Sequence, residues 1–172
     1  MTIAQELLAE FEAQTPITRR YLERLPTDKL AWKPHVKSLS AGQLAFHIAS
    51  TPGGIVRFVM SNPAQSSGFQ FPEPASLEEI LAAFESSIAA VRGILPQFDN
   101  SAMKETWQLM AGGKVVMAQP RGLFLRDVLF SHIYQHRGQL SVYLRMLGAA
   151  VPASFGPSAD ELPLFMHGAN AA

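Results

Sequence analysis

Cysteine is absent from all 172 residues. That removes a disulfide framework, a thiolate metal site and a cysteine nucleophile together, so any metal must rest on nitrogen and oxygen ligands. Charge is sparse as well: charged side chains make up 16% of the chain, and 14 basic residues cancel 14 acidic ones. No basic stripe exists to neutralise a phosphate backbone, which argues against a nucleic-acid partner. No apolar run approaches the roughly 18 residues that a membrane span needs. The opening stretch, MTIAQELLAEFEAQ, has no basic cluster ahead of its apolar positions, unlike a secretory signal. The expectation is one cytoplasmic domain over residues 1–172, without membrane contact.

Internal repeats, low-complexity tracts, a P-loop, a GxSxG elbow and a dinucleotide fingerprint are also missing. What is present is helical periodicity. Ile3, Leu7, Leu8, Phe11, Thr18, Tyr21, Leu22 and Leu25 predict a first helix over residues 2–25, kinked by Pro16. Ser40 reads as the N-cap of a second helix carrying Leu44, His47, Ile48, Thr51, Ile55 and Phe58, bent at Pro52-Gly53-Gly54. The segment 62–74 reads as a loop. Ser76 with Glu79 forms a capping-box signature before a third stripe, Leu77 to Leu95. Residues 106–110 and 114–118, around Gly112-Gly113, predict a small β-hairpin between helices 3 and 4. A fourth helix is predicted over 121–147, with Gly148 as its stop. The tail, with Phe155, Leu164 and Phe165 among its prolines, reads as a segment lying across the surface or a partner subunit.

His132 and His136 stand four apart, which on a helix sets two imidazoles one above the other at a separation one ion can bridge. Both fall on the stripe drawn through Leu125, Leu129, Leu140, Tyr143 and Leu147, and His47 repeats the pattern on helix 2. Core histidines satisfied by hydrogen bonds are ordinary. Three projecting from two helices into shared space are better satisfied by one metal ion. His35 and His167 stand apart. Three neutral imidazoles leave an open coordination position; nickel or zinc suits that donor set best, and iron, copper or manganese fit it too. Gln43 and Gln139, each one turn from a histidine, are candidates to hydrogen-bond an imidazole or a bound water. Tyr143 is either a proton donor near the metal or a core aromatic. Arg137, Arg145 and Asp127 lie off the stripe and read as surface or interface charges. No acid and base pair falls on the stripes.

Trp32-Lys33-Pro34, His47, the run His132 to Leu140 (HIYQHRGQL) and the closing Pro152 to Glu161 (PASFGPSADE) together resemble the DinB and YfiT-like superfamily of metal-binding helical bundles. The resemblance implies an all-α, up-down-down-up four-helix bundle with a divalent metal, commonly nickel or zinc, on the three histidines, and a homodimer. It implies a metal-dependent enzyme that activates a small exogenous thiol for transfer or isomerisation, while the open metal position by itself would serve equally to activate water for hydrolysis. The alternative is a non-catalytic metal-binding stress-response or dimeric structural module. Without a cysteine of its own, the chain would take any thiolate from outside.

Overall fold

The computed structural model of the protein describes residues 1–163 and Met166, so Leu164, Phe165 and His167 lie outside the described residues. Helix α1 (Ile3–Glu23) begins where Thr2 and Gln5 close a capping box, each side chain accepting from the other's backbone N–H. Pro16 sits within α1, which continues past it. Beside it the Thr15 hydroxyl donates to the Phe11 carbonyl at 2.9 Å. Helix α2 (Ala41–Phe58) starts with the same box, made by Ser40 and Gln43, and continues through Pro52 in one element. Helix α3 (Leu77–Ile94) keeps half of the expected box. Ser76 accepts from Glu79 N, but the Glu79 carboxylate reaches Ala75 N instead of Ser76 N.

Helices α2 and α3 meet closely because Gly53 has no side chain. A Cβ there would lie 2.7 Å from Ser87 Cα. Ser87 Oγ in turn donates to Ser50 O at 3.2 Å.

A short helix α4 (Asn100–Lys104), capped by Asp99, leads into strands β2 (Thr106–Ala111) and β3 (Lys114–Pro120). Gly112 and Gly113 turn the hairpin at φ of 55° and 74°, a region that side chains disfavour. The hairpin is not alone. Strand β1 (Ala64–Gln65) pairs parallel to β2, Ala64 with Leu109, making a three-stranded mixed sheet where a loop was predicted. Two residues carry no alternation, so β1 left no pattern to read.

The predicted fourth helix is in fact three stretches: α5 (Arg121–Arg126), a π-helical turn (Asp127–His132) and α6 (Ile133–Met146). A π turn carries an extra residue, and it displaces everything after it around the axis. The buried line on α6 therefore runs through Ile133, Arg137, Leu140 and Leu144: it keeps Leu140 of the stripe drawn from the sequence and takes the residue after His132, His136 and Tyr143 in place of each.

The core is continuous from α1 across α2, α3 and α6 to the sheet. Trp107 is fully buried, stacked on Phe124 with ring centroids 4.3 Å apart and set edge-on to Phe58. The segment after Gly148 returns along α1 and α6. There Glu161 pairs with Arg20 and Arg24 while Asp160 pairs with Arg145. Among the described residues no helix is long and apolar enough to cross a membrane.

Candidate metal site

Helix α2 supplies His47, and the junction of the π turn with α6 supplies His132 and His136. Their ligand atoms all lie within 4.8 Å of one another, so this group can hold a metal ion. All three rings are half-buried, at the edge of the core instead of in its interior; on α6 the fully buried line runs through Ile133 and Arg137, beside His132 and His136. His47 Nε2 and His132 Nε2 are 2.9 Å apart. The His136 ring lies edge-on to that of His47, with centroids 4.8 Å apart.

Hydrogen bonds fix which nitrogens face the centre. Gln139 Oε1 lies 2.7 Å from His136 Nδ1. An amide oxygen only accepts, so Nδ1 carries the proton and Nε2 keeps its lone pair. The Thr51 hydroxyl, 3.2 Å from His47 Nδ1, can hold that ring in the same tautomer. Two bare Nε2 atoms at 2.9 Å repel unless a proton or a cation lies between them. The donor set is three imidazoles with no carboxylate in the group, which fits a borderline divalent ion such as zinc or nickel.

Electrostatics favours the neutral form of His47 and His132. The His47 pKa is pushed down to about 4, first by burial and then by the positive charge that His136 and His132 would carry. His132 is lowered for the same reasons, burial first and His136 second. Neutral imidazole is the form that binds metal.

A cleft of about 390 Å³ opens beside His136, lined by Pro34, Ser38, Leu39, Leu44, Gln139 and Tyr143. Tyr143 donates to Leu39 O at 3.3 Å and meets Trp32 edge-on at 5.5 Å. Gln43 is engaged elsewhere: its Oε1 accepts from Ser40 N and its Nε2 donates to Phe71 O. His35 stays apart from the group, its Nδ1 accepting from Lys37 N.

Two neighbours of the site were not picked out from the sequence. Thr51 lies four residues after His47, a spacing that carried the signal. Phe71, whose ring centroid is 5.3 Å from that of His47, comes from the predicted loop and left none. The charges divide. Arg145 and Asp127 are exposed as predicted, but Arg137 is only 2% exposed, which overturns its reading as a surface charge. Its guanidinium donates to Gln14 and Thr18 on α1 and lies among the rings of Tyr21, Tyr134 and Phe155.

Comparison with known proteins agrees with this architecture. The chain is 26% identical over 157 residues to the uncharacterized protein YrdA of Bacillus subtilis, covering 91% of this chain and 89% of that one. Its fold is similar to that of a DinB-like protein from Bacillus cereus, at a TM-score of 0.71 and 20% identity over 88% of this chain and 97% of the other. It is similar also to the DinB-like protein YjoA of Bacillus subtilis, at 0.63 and 21% over 93% and 97%. The family model that matches spans residues 1–162, a stretch that takes in the three histidines and every element from α1 to α6, and the chain belongs to the DinB family.

Proposed function

We propose that the protein is a metal-dependent enzyme in which His47, His132 and His136 hold a divalent ion, nickel or zinc, and a water or small thiol is activated beside it. The reading belongs to an up-down-down-up bundle formed by α1, α2, α3 and the α5–α6 run. The observation that carries it is the convergence of three imidazoles, one of which, His136, lines an open cleft. A closed structural site would fill its coordination with protein ligands, whereas three nitrogens leave room for an outside one. The ion would supply Lewis acidity, which makes water or a thiol a nucleophile at neutral pH.

The chain's own residues do the positioning. Gln139 sets the His136 tautomer, and Thr51 does the same for His47. Pro34, Leu39 and Leu44 form an apolar wall of the cleft, while Ser38 offers a hydroxyl and Tyr143, its proton given to Leu39 O, an acceptor oxygen to a bound molecule.

Elemental analysis of tag-free protein tests the ion, and visible spectroscopy of the cobalt-substituted protein during thiol titration tests reactivity. We expect one divalent ion per chain and a cobalt spectrum that changes on adding thiol. His132→Ala should lose most of the metal while far-UV circular dichroism stays unchanged, because apolar burial supplies most of the folding energy. Metal content unchanged by that substitution would refute the assignment. A metal-loaded site that ignores thiol and turns over no hydrolytic substrate would leave the non-catalytic module standing.

A further inference from the structure

Arg137 is the residue least explained by packing alone. A guanidinium enclosed to 2% exposure, with no carboxylate among its hydrogen-bond partners in the described residues, is a costly occupant of a core position. An apolar side chain of similar length would fill the space at lower cost. What it could not do is point. Apolar stripes are non-directional and let packed helices turn and slide against each other, whereas a planar fork of N–H donors fixes an angle.

The fork spans two helices. Arg137 Nη1 reaches Thr18 Oγ1 at 3.3 Å and Nη2 reaches Gln14 Oε1 at 3.0 Å, residues one turn apart on α1. The rings around it are themselves tied down. Tyr21 donates to Pro152 O at 2.8 Å, and Tyr134 donates to Glu10 Oε1 at 3.1 Å. Phe155 closes the enclosure, with the guanidinium carbon 5.1 Å from its ring centroid. Arg137 thus ties the rotation of α6 to α1, next in sequence to His136.

We infer that Arg137 is a positioning residue for the metal ligands, setting the rotation of α6 at which His132 and His136 converge on His47. This rests on the three histidines holding an ion, as proposed above. The geometry gives the lever. A ring nitrogen about 5–6 Å from the helix axis moves by about 0.5 Å when the helix turns by about 5°. Metal–ligand distances tolerate only about 0.2 Å. Loss of the fork therefore spoils the site long before it unfolds the helix.

The test compares wild type, Arg137→Met and Arg137→Lys as metal-free proteins titrated with cobalt(II) against a competing chelator, with the visible spectrum and circular dichroism recorded together. We expect Arg137→Met to keep its helical signal but bind cobalt about 10–100-fold more weakly, with an altered band shape, the range typical of lost support around metal ligands. Arg137→Lys, which keeps one charged donor, should recover part of the affinity. Cobalt bound by Arg137→Met as tightly as by wild type, with the same spectrum, overturns the positioning role and leaves the metal site intact. Failure of wild type itself to bind overturns both. Should Arg137→Met not fold, Gln14→Leu with Thr18→Val takes its place, since it removes the fork's acceptors and keeps the guanidinium. Weakened binding there supports the inference, and wild-type binding overturns it.

Discussion

Neighbouring residues on one turn of α6 have opposite surroundings: His136 stands half-open beside the cleft, and Arg137 is charged and enclosed. The same contrast appears at Tyr134, whose phenol pKa is pushed up to about 12, chiefly by burial and then by its hydrogen bond to Glu10. The folded value lies above the unfolded value of 10.0, so the fold favours the protonated phenol. That contribution to stability is fully present below pH 10 and is lost as pH rises toward about 12. A difference titration of phenolate absorbance between wild type and Tyr134→Phe should place one tyrosine near 12, and Glu10→Gln should move it part of the way back. A midpoint near 10 for that tyrosine would contradict the burial seen here. Residues were legible in the sequence where chemistry made them scarce. Five histidines, three of them at helical spacing among leucines, stand out. Arg137 did not, because an arginine's default place is solvent. Only its spacing with Ile133, Leu140 and Leu144 marks it as inward, and the π turn hid that line.

Among the elements, caps and long stripes were readable because they are local: Ser40, Ser76 and Gly148 act within a few residues of themselves. Helices α1 and α2 continue through Pro16 and Pro52, since tertiary packing along whole stripes outweighs one lost backbone bond. Long-range fit was hidden. Nothing local distinguishes Gly53 from Gly54, but the structure separates them sharply. A Cβ at Gly53 meets the α3 backbone at Ser87, whereas one at Gly54 meets nothing within 4 Å. Gly53→Ala should push α2 and α3 apart and cost about 1–3 kcal/mol. Gly54→Ala should be neutral or stabilising by up to about 1 kcal/mol, because alanine favours helix more than glycine does. Urea midpoints measured side by side decide it, and equal effects at the two positions would contradict the close approach of these helices.

At the scale of the whole molecule, the folding core and the candidate metal site are different parts. The buried core runs through α1, α2, α3, α6 and the sheet, whereas the three histidines sit half-exposed at one edge of it. That arrangement separates this chain from small metal domains whose ligands replace a core. Removing the ion should therefore leave the helical signal intact and lower only the melting temperature. An ion that binds the native state alone stabilises it by mass action, about 2.7 kcal/mol at one hundred times its dissociation constant. For a chain of this length each kcal/mol shifts melting by roughly 2–4 °C. Chelation should then cost about 5–11 °C, and the loss should grow with the logarithm of the metal concentration withdrawn. Differential scanning calorimetry across a metal series reads both the size and the slope. Collapse of the helical signal on chelation would mean that the ion, and not the apolar stripes, holds α2 and α6 together.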